Sequence, residues 1–124
     1  MNIMSNLTSF DNQSINDADA IYLVNVVQVN EGLQDRAIAI LKDTVEYVSE
    51  NYPAFRWSRL LKSVDGKTVI NQAQWSSRSA FEKLFSDEDF LSRYSQLKET
   101  GTWEYHLYKV DEYIQLKASA GEPV

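Results

Sequence analysis

A hairpin signal followed by a strand near the middle of the chain constrains the fold more than any other stretch. Asp65-Gly66 is a dipeptide typical of tight turns between antiparallel strands, and it precedes the β-forming run 69–75. Because side chains alternate between the two faces of a strand, Asn71 and Trp75 lie on the same face. That face is otherwise mostly apolar. The amide of Asn71 therefore needs a partner opposite it, which is a polar network, a water molecule or a ligand.

Hydrophobic periodicity predicts the elements on either side of this hairpin. Residues 21–29 are apolar on both faces, which is typical of a central strand that is covered on both sides, and Asn25 interrupts one of these faces. Residues 33–52 carry apolar side chains at steps of three and four, as in an amphipathic helix. Residues 55–63 predict the strand that pairs with residues 69–75.

Two short helices and a last strand complete the pattern. Residues 76–85 predict a helix in which Phe85 faces inward, and Ser86 is expected to cap the helix that follows. The acidic run 87–89 favours a helix start over a metal site, because negative charge there stabilises the helix dipole. Residues 102–112 predict the fourth strand.

This order of elements predicts an α+β fold. It corresponds to the ferredoxin-like split βαβ arrangement with a four-stranded antiparallel sheet. Helices can cover only one face of such a sheet, yet Tyr22, Val24, Val26 and Ile70 make the other face partly apolar. Since an exposed apolar patch of this size marks an interface, we expect a homodimer that packs sheet against sheet.

Length and composition bound the remaining possibilities. The 124 residues suffice for one domain, expected at 20–113, between a flexible or docked arm (1–19) and a polar tail (114–124). A net charge of −6 argues against binding nucleic acid or anionic membranes, and no apolar run approaches the ~18 residues of a membrane span. The arm lacks the features of a secretory signal and cysteine is absent, so we expect a cytoplasmic protein.

A family pattern extends around the hairpin and the third strand. Its positions are Asp65, Gly66, Asn71, Ala73, Trp75, Ser77 and Ala80. With this pattern on the predicted topology, the chain from about residue 21 to residue 113 resembles the antibiotic biosynthesis monooxygenase family of dimeric α+β barrels. That family includes quinone-forming oxygenases, haem-degrading enzymes and small stress proteins, so the resemblance does not identify a substrate.

For quinone-forming members, the resemblance implies that O₂ oxidises a phenolic, anthrone-like or quinol-like aromatic substrate without a cofactor or a metal. It assigns the catalytic positions to Asn25, Asn71 and Trp75. Haem-degrading members carry a histidine shortly after the tryptophan, and residues 83–86 contain none, which argues against haem. The alternative is a non-catalytic ligand-binding or stress-response dimer of the same fold.

The chemistry of these side chains is compatible with both functions. Amides can donate to a developing oxyanion, and Trp75 can supply an indole N–H and an aromatic wall, but each side chain can also be purely structural. Arg93 is a candidate for holding a substrate oxygen, or else a solvated helical arginine. His106, the single histidine, is a candidate proton acceptor in the substrate site or a structural residue. Trp57 and Trp103 are expected to anchor the core or an interface.

Overall fold

The computed structural model describes residues 20–116, so the predicted arm and the last eight residues of the predicted tail lie outside the described residues. The elements run in the order β1 (Ile21–Val29), α1 (Gln34–Asn51), β2 (Phe55–Lys62), β3 (Thr68–Trp75), α2 (Arg78–Glu82), a 3₁₀ turn (Lys83–Ser86), α3 (Glu88–Tyr94), a second 3₁₀ turn (Ser95–Glu99) and β4 (Gly101–Tyr108). Residues 109–116 follow β4 without regular secondary structure.

The four strands form one antiparallel sheet in the order β2-β3-β1-β4. The strand β1, which is apolar on both faces, is central, as its sequence predicts. Helix α1 packs on one face of the sheet and contacts α3. This arrangement confirms the predicted α+β ferredoxin-like fold. None of the helices within residues 20–116 is long and apolar enough to span a membrane.

The predicted hairpin between β2 and β3 sets the register of the sheet. Gly66 has a φ of 80°, a left-handed conformation that glycine adopts without a steric penalty. From this turn the strands pair so that Asn71 lies opposite Leu60 on β2 and opposite Asn25 on β1. The two asparagines are therefore direct cross-strand neighbours on the face that the helices cover.

The tryptophans differ in which face of the sheet they occupy. Trp103 lies on the covered face, where its ring packs 5.3 Å from that of Tyr94, so its predicted role as a core anchor is confirmed. Trp57 is paired with Gln74 and lies on the opposite face, with its ring 6.3 Å from that of Tyr22. Trp57 thus belongs to the sheet face for which we predict a partner.

The helix start after the first 3₁₀ turn differs from the prediction. Ser86 ends that turn, whereas Asp87 has extended backbone and its carboxylate accepts the backbone N–H of Phe90 at 3.1 Å, so Asp87 is the cap. The 3₁₀ turn has three residues per turn instead of 3.6, which changes the direction of the side chains within it. Phe85, predicted to face inward, does line the internal cavity and packs on Phe81 and Phe90, but it remains 39% exposed.

Asp87 also joins α3 to α1. The hydroxyl of Tyr52 donates to its carboxylate at 2.6 Å and that of Tyr47 at 2.8 Å. The hydrogen bond from Tyr52 is the largest influence that lowers the pKa of Asp87 below its usual value. Burial, together with the same bond, raises the pKa of Tyr52 to about 12. A charged carboxylate thus links the start of α3 to the C-terminal end of α1.

Candidate functional site

A cavity lies between the covered face of the sheet and the helices. Its walls are apolar or aromatic except for a few amide and hydroxyl groups, and they comprise Leu23, Asn25, Leu41, Thr44, Val45, Val48, Phe55, Asn71, Ala73, Trp75, Phe81, Leu84, Phe85, Phe90, Tyr94 and Tyr105. The free volume is about 40 Å³, which is room for a few water molecules. Pockets that hold drug-sized ligands measure roughly 300–1,000 Å³. A polycyclic ligand therefore fits only if part of the wall moves.

All three side chains that the sequence assigned as catalytic lie on this cavity. Asn25 and Asn71 face each other from β1 and β3 in the middle of the floor, and Trp75 lies four residues further along β3. Ala73, between Asn71 and Trp75 on the same face, has too small a side chain to fill the space above it. The period of two along β3 and the register with β1 together produce this grouping.

Asn25 is 1% exposed and only partly satisfied. Its Nδ2 donates to the hydroxyl of Tyr94 on α3 at 3.1 Å, while its Oδ1 is buried and has no hydrogen-bond partner among residues 20–116. A buried polar atom without a partner costs about 1–3 kcal/mol. Such atoms are rare in native proteins and occur at functional sites, where a ligand or a water molecule completes the bonding.

Asn71 is held from the neighbouring strand. Ser58 on β2 lies beside it and its hydroxyl donates to Asn71 Oδ1. With its oxygen engaged in this way, Asn71 has its Nδ2 group available to a ligand in the cavity. The two amides therefore offer different groups, an acceptor on Asn25 and donors on Asn71.

Trp75 is a core residue as well as a wall of the cavity. It is 2% exposed, and its ring makes edge contacts with Tyr52, Phe55 and Phe81 at centroid distances of 5.6–5.9 Å. Contacts on three sides fix the orientation of the indole. Its aromatic face is thereby positioned before any ligand binds.

Phe85 and Tyr105 are the most exposed members of the lining, at 39% and 37%. Their rings stack nearly parallel, with centroids 6.0 Å apart and planes inclined by 11°. Phe85 comes from the 3₁₀ turn and Tyr105 from β4, which is an edge strand. These two side chains form the part of the wall that can turn into solvent with the least loss of packing.

Two further residues suggested by the sequence lie elsewhere. Arg93 pairs with Asp43 at 2.9 Å and lies over the ring of Tyr47, with its guanidinium carbon 4.8 Å from the ring centroid, on the outer side of the helices. His106 is exposed on the opposite face of the sheet, where it contacts Glu104 at 2.6 Å. Neither side chain lines the cavity, so their predicted part in binding substrate has no geometric basis here.

The electrostatic character of the cavity follows from its lining. Within the described range 20–116, no aspartate, glutamate, lysine, arginine or histidine belongs to this lining. Burial raises the pKa of Tyr94, so that side chain stays a neutral phenol. Within residues 20–116 there is also no group of three or more histidine, aspartate or glutamate side chains placed to hold a metal ion. The site can supply hydrogen-bond donors, acceptors and aromatic walls, but it has no strong base.

Sequence reasoning missed two residues of this site, Tyr94 and Ser58. Tyr94 belongs to the apolar stripe of its helix, so its pattern indicates only a core residue. Ser58 sits in a strand of mixed polarity and is recognisable only once β2 is aligned with β3. The available signal was physical: a buried amide requires partners, and these two hydroxyl groups are the partners.

Comparisons with known proteins agree with the fold. A family model described as antibiotic biosynthesis monooxygenase matches residues 20–93, a range that contains Asn25, Asn71 and Trp75. A comparison with curated protein sequences found no match.

Solved structures with the same fold include two oxygenases. The chain is similar to SnoaB, a cofactor-independent oxygenase from Streptomyces nogalater, with a TM-score of 0.71, 23% identity, and coverage of 78% of this chain and 98% of SnoaB. A monooxygenase from the gene ActVA-Orf6 of Streptomyces coelicolor, solved with nanaomycin D, gives a TM-score of 0.71 at 19% identity, covering 85% and 99%. A conserved protein from Methanosarcina mazei Go1 gives 0.67 at 13% identity, covering 77% and 96%.

The contact between Asn25 and Tyr94 leads to a prediction about stability. Asn25→Leu removes the unpaired oxygen but also removes the hydrogen-bond partner of the Tyr94 hydroxyl. Tyr94→Phe removes the acceptor of the Asn25 Nδ2 group. The double variant replaces both groups by apolar ones. We expect its loss in free energy of unfolding to be about 1 kcal/mol smaller than the sum of the losses in the two single variants. Urea unfolding of the four proteins measures this coupling.

An exposed asparagine provides the control. Asn51 lies at the end of α1 outside the cavity, so Asn51→Leu combined with Tyr94→Phe is expected to give additive effects. Additive effects for the Asn25 pair as well would show that its hydrogen bond contributes nothing to the stability of the site.

Proposed function

The chain belongs to the antibiotic biosynthesis monooxygenase family, and we propose that it is a cofactor-independent monooxygenase that oxidises a phenolic, anthrone-like or quinol-like aromatic substrate with O₂. One observation carries the proposal. Two buried amides on neighbouring strands, one with an oxygen that has no partner among residues 20–116, lie in a mostly apolar and aromatic cavity. Such a cavity suits a flat aromatic molecule with a polar oxygen.

The proposed reaction does not require a redox group on the protein. Triplet O₂ reacts poorly with closed-shell molecules, and enzymes usually overcome this with a metal or a flavin. An electron-rich phenol that has lost a proton can itself donate an electron to O₂. For an anthrone, the methylene group becomes a carbonyl: one atom of O₂ forms that carbonyl, and the other leaves as water with the two methylene hydrogens.

In this proposal the amides stabilise the substrate anion. The Nδ2 group of Asn71 donates to the developing oxyanion, and the surrounding apolar wall strengthens that interaction by excluding water. The edge-packed ring of Trp75 orients the substrate plane. Phe85 and Tyr105 turn outward to admit the substrate, because the cavity of about 40 Å³ is too small for it.

The absence of charged groups from the lining favours a second candidate function. Without a carboxylate or an imidazole in the cavity, deprotonation of the substrate depends on water or on an amide oxygen. A non-catalytic dimer that binds an aromatic ligand in the same cavity needs no base. Oxygen uptake with a panel of anthrones and quinols, with no flavin or metal added, distinguishes the two functions.

Kinetics of variants test how the site acts. Asn71→Ala is expected to lower kcat by about 10²-fold with little change in KM, because a donor aimed at developing charge acts mainly in the transition state.

Trp75→Phe is expected to lower turnover less than Trp75→Ala does. Trp75→Ala removes three ring contacts and costs about 3–5 kcal/mol of stability. Steady-state oxygen consumption measures kcat and KM for each variant.

Asn51→Ala is the matched control for the amide. It makes the same chemical change at an exposed position outside the cavity, and we expect the parent rate. If Asn71→Ala and Asn25→Ala both turn over every accepted substrate at the parent rate, the amides are structural and the binding function replaces the oxygenase.

A homodimer through the uncovered sheet face is part of the same proposal. Tyr22, Val24, Val26 and Ile70 are only half-buried there, and Leu61 on the same face is 41% exposed. An apolar patch of this kind on a folded domain marks an interface. Packing a second copy against it would bury these side chains and leave the cavity on the other face untouched.

Sedimentation at micromolar concentration tests the dimer. The parent protein is expected to be dimeric, and Val26→Glu is expected to be monomeric because it places a charge in the apolar interface. Val64→Glu is the matched control, since Val64 is fully exposed in the hairpin. A parent protein that sediments as a monomer, or a Val26→Glu protein that remains dimeric, contradicts this interface.

A further inference from the structure

The hydrogen bonding of Asn25 and Tyr94 leaves one group on each side chain without a partner among the described residues. The Nδ2 group of Asn25 donates to the Tyr94 hydroxyl at 3.1 Å, which uses that oxygen as an acceptor. The Asn25 Oδ1 atom, buried in the cavity wall, accepts no hydrogen bond from any residue that the structure describes. Among the described residues no acceptor is bonded to the hydrogen of the Tyr94 hydroxyl. The pair therefore presents one free acceptor and one free donor on two side chains that are already hydrogen-bonded to each other.

We propose that Asn25 and Tyr94 together recognise a hydroxyl group of the aromatic ligand. That hydroxyl donates its hydrogen to Asn25 Oδ1, and its oxygen accepts the hydrogen of Tyr94. The inference rests on the proposed function in that the cavity binds an aromatic molecule, and it adds a specific requirement for a free hydroxyl. Tyr94, which the sequence pattern indicated only as a core residue, becomes a residue that touches the substrate.

The pairing selects a hydroxyl over other oxygen groups. An ether or a carbonyl oxygen can accept from Tyr94 but has no hydrogen to give, so Asn25 Oδ1 stays buried without a partner. The penalty for that unpaired atom corresponds to roughly 5- to 150-fold in affinity. A phenol whose own hydroxyl becomes a quinone carbonyl is therefore bound more tightly than its product, whereas an anthrone oxidised at its methylene group keeps its hydroxyl and the same hydrogen bonds.

The surroundings keep both groups in the required form. Burial raises the pKa of Tyr94, so its hydroxyl retains the hydrogen that it donates. No charged side chain of the described part of the chain lines the cavity to compete for either group. The ring of Tyr94 is fixed between Phe90, stacked at 5.2 Å, and Trp103, in edge contact at 5.3 Å. The hydroxyl is thus held in place before a ligand arrives.

Two stable probes test the selection without any turnover. We expect 1-naphthol to bind the full chain roughly 5- to 150-fold more tightly than 1-methoxynaphthalene in isothermal titration calorimetry. The methoxy compound is the more hydrophobic, so a simple apolar cavity would prefer it. Asn25→Leu is expected to abolish the preference for 1-naphthol. Tyr94→Phe is expected to weaken both probes and to retain the preference.

Thr44→Val is the matched control on the cavity wall. The Thr44 hydroxyl donates to the carbonyl of Ile40 in its own helix at 2.8 Å, so its loss is expected to leave the preference unchanged. Asn25→Leu also distinguishes hydrogen bonding from a steric effect. If the methyl group of 1-methoxynaphthalene were simply too large for the cavity, the preference for 1-naphthol would persist in that variant.

The outcomes separate this inference from the oxygenase. Equal affinity for the two probes in the folded parent, a preference that survives Asn25→Leu, or failure of both probes to bind overturns hydroxyl recognition. If the parent protein prefers 1-naphthol but consumes no O₂ with anthrones, hydroxyl recognition is supported and the oxygenase proposal is contradicted. If it oxygenates anthrones without this preference, the oxygenase proposal is supported and hydroxyl recognition is contradicted.

Discussion

The cross-strand contact between Asn25 and Asn71 is the constraint on which the rest of the structure depends. Each buried polar atom of the two amides in the middle of the covered sheet face costs about 1–3 kcal/mol if it lacks a partner. Their partners come from other elements, Tyr94 from α3 and Ser58 from β2. The β2–β3 hairpin sets the register, and a slip by one residue would turn Asn71 to the opposite face. The bonding needs of two side chains thus connect four elements around one cavity.

Stability and site chemistry oppose each other in this cavity. A leucine at position 25 would bury apolar surface without an unpaired oxygen, and a larger residue than Ala73 would fill the free volume. Instead, Asn25 Oδ1 has no partner within residues 20–116, and tight packing and hydrogen bonds stabilise the residues around it. Trp75 is packed on three sides, and Asp87 fastens α1 to α3 through two tyrosine hydroxyls. Local bonding rules that fail at one point inside a well-bonded shell are typical of functional sites.

The period-two pattern of the strands made the fold and much of the site predictable. It placed Asn71 and Trp75 on one face, the family resemblance added Asn25, and the structure brings all three to one cavity. Other features depend on contacts between distant residues. Arg93 is held by Asp43, fifty positions away in the chain, and this pairing leaves no trace in either local pattern. Capping was ambiguous because Ser86 and Asp87 are both good caps, and only the 3₁₀ turn decides between them.

Oxygen-isotope labelling tests the proposed chemistry most directly. Protein stripped of metals and free of flavin is incubated with an anthrone under ¹⁸O₂ in unlabelled water, and the product is analysed by mass spectrometry. We expect one ¹⁸O atom in the new carbonyl, after correction for exchange with water measured on labelled product. A product without the label, or turnover that begins only when a metal or flavin is added, contradicts cofactor-independent monooxygenation by this cavity.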